Sequence, residues 1–196
     1  MQYIKRLFYC FLLLPFCVFA DVFVVGDTFL LNPKTSAIIE KIGDEFFQKA
    51  GISMYVVLKK DLSLNKEERR QFVLRNLTNT QNYFAILFAL EDKKIDFFMS
   101  GDLENIIDVD SVYSEFMVPF LPVKKSDILD TARISAILLN GYAHFIDAFA
   151  RYKNIQIQSN IIDRNGEMLA QVARVVIWVM LLSLIVGFVW IRRRRK

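Results

Sequence analysis

The chain has 196 residues, enough for one ordinary domain with targeting elements at its ends. Its formal net charge is +4, but residues 21–170 hold 17 basic side chains against all 21 acidic ones, so the basic excess sits at the two ends and nucleic-acid binding is excluded. Both cysteines, Cys10 and Cys17, lie in the leader region; its removal excludes a disulfide scaffold, a zinc–thiolate site and a cysteine nucleophile together.

Residues 1–20 are built like a secretory signal. Lys5 and Arg6 form a positive start, residues 7–18 an apolar run, and Val18 and Ala20 fit the −3 and −1 positions of a cleavage site before Asp21. Residues 22–25 then form a short β-type run. Asn32 and Pro33 open an amphipathic helix through Ala50, with Ile38, Ile39, Ile42, Phe46 and Phe47 at helical spacing, and Gly51 ends it. A second strand covers 52–58. Asn65 with Glu68 makes a capping-box pattern before a second helix whose inner face carries Phe72, Val73 and Leu77.

Residues 83–90 are apolar on both faces, as a central strand covered on both sides requires. The charged turn Glu91-Asp92-Lys93-Lys94 leads into an antiparallel return over 95–100, whose second face is more polar. Gly101 and Asp102 open a short helix over 103–107, and a further helical piece lies around 111–118. Ser126 or Asp127 caps a long helix reaching Tyr152. The order strand, helix, strand, helix, strand, strand implies an α/β class: a three-layer α/β/α sandwich with a mixed sheet of about four strands. The domain spans 21–153, with a connector over 154–171.

Residues 172–191 read as a single C-terminal transmembrane helix. The run 175–191 is uncharged, Trp178 and Trp190 lie toward its two ends, and Arg192, Arg193, Arg194, Arg195 and Lys196 form a basic cytoplasmic tail at 192–196. This pattern puts the main domain on the extracytoplasmic side of a cell (inner) membrane, with a periplasm as the simplest compartment.

The block ILFALEDKKIDFFMSGDLENIID resembles the strand, charged turn, strand and Gly-x-Leu-Glu-type loop of the TPM domain family. The Leu-rich helix entry after Asp27 and the strand over 54–58 are similar too. The similarity covers residues 24–152. It implies an α/β/α sandwich. It also implies a role in assembly, repair or modulation of membrane-protein complexes, with calcium binding or weak acid-phosphatase activity in some members. The chain departs from the family pattern at Gly26, before Asp27, and at Lys93-Lys94, where an arginine is common.

The candidate chemistry lies in the acidic loop: Asp102, Glu104, Asp108 and Asp110, with Asp27 brought near by the sheet. Clustered carboxylates suit Ca2+, a hard cation that takes oxygen ligands, although the spacing is not that of an EF-hand. The plainer reading makes Asp102 a helix cap, Glu104 a first-turn acid and the others solvated. His144, the only histidine, falls away from its helix's apolar stripe and reads as a surface residue. No nucleophile elbow, phosphate loop or dinucleotide turn is present. Three functions follow, the third a calcium-stabilised structural module with no partner of its own. The first is an extracytoplasmic domain that binds a membrane protein or complex and assists its assembly, stability or regulation. The alternative is a metal-dependent phosphatase using the acidic loop.

Overall fold

The computed structural model describes residues 22–62, 64–122, 127–162, 174 and 176–181. The elements are β1 (Val24–Gly26), α1 (Pro33–Ala50), β2 (Ser53–Lys59), α2 (Lys66–Asn76), β3 (Tyr83–Ala89), β4 (Lys94–Met99), α3 (Val109–Phe116) and α4 (Thr131–Lys153). Single 3-10 turns cover Thr28–Leu30, Gly101–Leu103 and Val118–Phe120. The sheet has four strands in the order β1-β2-β3-β4, with β1, β2 and β3 parallel and β4 antiparallel to β3.

Local chemistry sets the helix ends. Asn32 accepts the Lys34 N–H at 3.0 Å, and Pro33 fills a first-turn position that needs no donor. Gly51 closes α1 at φ 68, with its N–H on the Phe47 carbonyl. Asn65 and Glu68 form the reciprocal capping box of α2, at 3.0 Å each way. All seven residues of β3 are buried, because both of its faces are covered.

The strand period of two sorts the core into two layers. Met54, Val56 and Leu58 of β2, with Phe84, Ile86 and Phe88 of β3, face Ile39, Ile42 and Phe46 of α1 and the apolar stripe of α4. Tyr55, Val57, Ala85, Leu87 and Ala89 face Val73 of α2. Helices α1 and α2 thus cross on opposite faces while the chain steps in one direction across the sheet. Two such crossovers have opposite hands, so one of them is left-handed, against the strong general preference. The α1–α4 layer is packed to the point where Gly43 is required. A Cβ there would lie 2.6 Å from the Tyr142 hydroxyl and 2.7 Å from the Phe23 ring. That hydroxyl donates to the Met54 carbonyl at 3.0 Å, which satisfies a fully buried polar group. Burial first, then the Glu40 charge and Tyr55, push the Tyr142 phenol well above its usual range.

Three expectations need correction. The C-terminal transmembrane helix is withdrawn: among the described residues no helix is long and apolar enough to cross a membrane. Within 172–191 only Arg174 and 176–181 are described; they are helical, and six residues rise ~9 Å against the ~30 Å of a bilayer core. Trp178 is exposed there. Trp190, Arg192, Arg193, Arg194 and Arg195 lie outside the described residues, as do residues 1–20. Next, the helix placed over 103–107 is only the 3-10 turn Gly101–Leu103, and Asn105 at φ 76 stops it from continuing. Finally, α4 is capped at Asp130, whose side chain accepts the Arg133 N–H at 2.8 Å. Asp127 lies outside the helix, and Ser126 is not among the described residues.

After α4 the chain turns at Asn154 and folds back on α1. Glu45 accepts the N–H groups of Gln158 and Ser159, both at 2.7 Å, and the Lys49 ammonium at 2.6 Å; Lys49 also donates to the Gln156 carbonyl. Partial burial pushes the Glu45 carboxyl up, but these hydrogen bonds outweigh it and hold it at about 2, below the ordinary 4.5. A depressed carboxyl stabilises the fold above its unfolded value. That contribution is lost as pH falls from 4.5 through about 2. Solvent screening limits it to ~1 kcal/mol. Glu45→Gln is expected to remove this acid dependence and to speed amide exchange across 156–159. Unchanged exchange there would show that the connector is held by something else.

Candidate functional site

The carboxyl ends of the parallel strands are where open α/β sheets place ligands. In this chain that end is assembled around Gly26 and Asp27. Gly26, at φ 92, turns the chain off β1. The Asp27 N–H then continues the ladder onto the Leu58 carbonyl at 2.9 Å. Its carboxylate accepts the Lys60 N–H at 2.8 Å and lies 3.5 Å from the Lys59 ammonium. Asp27 therefore latches the β1 loop to the end of β2.

The turn Thr28–Leu30 follows. Leu30 and Leu31 are drawn into the core, and Phe29 between Thr28 and Leu30 is left 66% exposed. The Asn32 N–H donates to the Ser135 hydroxyl at 2.9 Å and ties this turn to the start of α4. On the neighbouring side, Leu90 and Glu91 donate to the Lys59 and Lys60 carbonyls, both at 3.0 Å. Lys93, at φ 50, reaches the Asp127 carbonyl with its ammonium at 3.1 Å. Beside it Ile128 stands 84% exposed. Thr28, Phe29, Leu31, Pro33, Ala37 and Thr131 line a shallow groove of about 650 Å³ at this end.

The acidic loop is elsewhere. Strand β4 runs antiparallel, with Met99 opposite Phe84 and the Ser100 N–H on the Tyr83 carbonyl. The chain leaving β4 therefore emerges at the amino ends of β1–β3. A seven-residue strand spans ~20 Å, so the sheet separates Asp27 from Asp102, Glu104, Asp108 and Asp110 instead of joining them. Within the loop, Asp102 sits in the 3-10 turn and Glu104 follows it, both exposed. Asp108 is the cap of α3 and accepts the Ser111 N–H at 3.0 Å, while Asp110 lies in the positive first turn. Among the described residues no group of three or more His, Cys, Asp or Glu side chains is placed to hold a metal ion.

His144 is not the surface residue the helical pattern suggests. It is half-buried, and its ring stacks on Phe116 with centroids 3.4 Å apart and planes 10° from parallel. Sequence reasoning also missed Phe29 and Ile128. A cap at Ser126 or Asp127 puts Ile128 on the apolar stripe of α4 that covers the sheet, whereas the observed cap at Asp130 leaves it before the helix and outside. Phe29 lies in the Leu-rich entry after Asp27, whose pattern does not say which side chain the turn leaves exposed.

The fold and this site define an α/β sandwich domain with an apolar, charge-flanked carboxyl end. No protein-family model matches the sequence, and no curated protein matches it. Among solved structures, the chain is similar to the N-terminal domain of a protein from P. gingivalis, determined by solution NMR. That match has a TM-score of 0.54 at 12% identity and covers 74% of this chain and 90% of that one. The BA42 protein from the psychrophilic bacteria Bizionia argentinensis sp. nov. matches with a TM-score of 0.47 at 19% identity, covering 68% of this chain and 90% of that one. The first likeness establishes a shared fold.

Proposed function

We propose that this chain is an extracytoplasmic, TPM-like binding domain that docks onto a membrane protein or complex and assists its assembly, stability or regulation. One observation carries the reading: Phe29 and Ile128 project from the carboxyl-end loops at 66% and 84% exposure. Single exposed apolar side chains are ordinary, but here two large ones stand at the same end of the sheet, Phe29 on a turn closed by backbone bonds and Ile128 beside the carbonyl that Lys93 holds, where they can act as a pair of anchors. Aromatic and aliphatic anchors ringed by polar groups are the usual source of binding energy in protein interfaces. Lys59, Lys60, Glu91 and Lys93 supply charge at this same end of the sheet. The leader-like residues 1–20 support the compartment.

The test is a pair of photo-crosslinkers introduced separately at Phe29 and at Asp102, at the two ends of the sheet, in cells producing the full-length chain. The expected result is one recurrent membrane-protein adduct from Phe29 and none from Asp102. Phe29→Ser combined with Ile128→Ser is expected to weaken binding to that protein more than ~100-fold, with the fold unchanged by circular dichroism. Equal labelling from both ends, or hydrolysis of an aryl phosphate by the purified chain that is lost in Asp102→Asn, would overturn the reading.

A further inference from the structure

The sheet has two edges, and the chain treats them differently. Strand β1 is only three residues long, and its outer side is closed from within the fold. Glu40 of α1 takes the Phe23 and Val24 N–H groups with its two carboxylate oxygens, each at 2.9 Å. Strand β4 is six residues long and carries no such closure.

The register settles which of its backbone groups are free. The Ser100 N–H bonds the Tyr83 carbonyl, so Lys94, Asp96 and Phe98 are the residues that exchange hydrogen bonds with β3. Ile95, Phe97 and Met99 turn their N–H and C=O groups outward, and among the described residues nothing bonds them. An open edge of this kind is a template for another strand, and proteins normally blunt it with proline, a bulge or a charge aimed along it. This strand has no proline; its exposed charge, Lys94, stands at the end next to the β3–β4 turn, and its Asp96 is turned onto the face beneath α2, where it pairs with Arg69. A depression of about 370 Å³ lined by Lys66, Glu67, Arg70 and Glu104 leaves the edge accessible on that side.

We infer that the β4 edge is the pairing site for a second copy of this chain, which joins two sheets into one eight-stranded, two-fold symmetric sheet. The stripe itself selects that occupant. In an antiparallel pair centred on Phe97, each outward-facing residue meets an outward-facing residue. Phe97 faces Phe97 of the second copy, and Ile95 faces its Met99. All three outward residues are then bonded in a single register, as an isologous contact requires. The side chains of Ile95, Phe97 and Met99 share the face that packs on the α1–α4 core, and all three are half-buried. Apolar therefore meets apolar at each of the three positions, within the ~5 Å Cβ spacing at which cross-strand pairs interact. Lys94 and Asp96 stay on the other face. Six residues a side bury less than the ~1,200 Å² of a permanent interface, so the association is weak and concentration-dependent.

The test uses the full-length chain in sedimentation equilibrium. The wild type is expected to shift from monomer to dimer mass between ~1 and ~100 µM. Ile95→Lys combined with Met99→Lys sets like charges opposite each other twice and is expected to stay monomeric. Ile95→Lys combined with Met99→Glu sets opposite charges at the same two places and is expected to recover the dimer. A second measurement needs no substitution: amide exchange at Ile95, Phe97 and Met99 slows as wild-type concentration rises. Monomer throughout, identical behaviour of the two double variants when both are folded, or exchange at these amides that ignores concentration would each overturn the inference.

Discussion

Replacing Gly26 with alanine is expected to lower stability by about 3 kcal/mol, and replacing Gly51 with alanine by only about 1 kcal/mol. Both glycines have positive φ, 92 and 68, where an L side chain is strained by ~1–2 kcal/mol. The surroundings separate them. A Cβ at Gly51 meets nothing within 4 Å. A Cβ at Gly26 would fall well inside van der Waals contact with the Leu58 carbonyl oxygen. That oxygen is main chain at the end of β2, which is fixed on both sides by β1 and β3. No rotamer change can relieve the clash, so the strands must part. Parting them removes the Asp27 N–H to Leu58 bond and slackens the Asp27 to Lys60 latch. Each such bond contributes ~1 kcal/mol, which brings the sum to about 3. Urea unfolding of both variants beside the wild type decides the matter. Equal losses would mean that backbone strain alone sets the cost and that the β1–β2 approach is loose.

The parts of this fold legible in the sequence are those whose determinants are contiguous. The doubly apolar stretch of β3, the Asn65 and Glu68 capping box and the Gly51 stop each lie within a few residues, and each takes the form its pattern dictates. The α/β class with a four-stranded mixed sheet followed from their order. What failed depended on partners far along the chain. His144 stacks on Phe116 from 28 positions away, across two helices, so a helical-face argument alone leaves it in solvent. Glu40 closes the β1 edge although nothing around it in the sequence distinguishes it from a surface acid. The grouping of Asp27 with Asp102 failed for a different reason. The antiparallel return of β4 was itself readable from the charged turn, and its direction already places the two acids at opposite ends of the sheet. The early Asp is best understood as the latch that shapes the Phe29 turn, and the candidate site follows from what that turn leaves outside.

Replacing Arg69 with methionine is expected to cost about 3 kcal/mol, while Arg69→Met combined with Asp96→Leu is expected to return to within about 1 kcal/mol of the wild type. Helix α2 has a thin inner face: Arg69 and Val73 are its only fully buried residues. The Arg69 stem therefore packs as a hydrophobic side chain would, with its guanidinium carried inward. One arm donates to the Leu64 carbonyl at 2.7 Å. Nε lies 2.8 Å from Asp96 Oδ2 but off the line a hydrogen bond needs, so the contact is an ion pair more than a bond. Arg69 keeps 9% of its side-chain surface and Asp96 18%, which places the pair among those that pay heavily for desolvation. Methionine preserves the stem but deletes both the charge and the donor to Leu64, so the loss it causes combines one hydrogen bond with the carboxylate left without a counter-ion, and only the second part is recovered by Asp96→Leu. Removing both charges removes that penalty. A double-mutant cycle in guanidinium chloride measures the coupling directly. A coupling near zero would show that water already solvates Asp96 and that α2 is held to β4 by packing alone. A coupling of ~2 kcal/mol or more would show that the charge pair fixes β4 against α2.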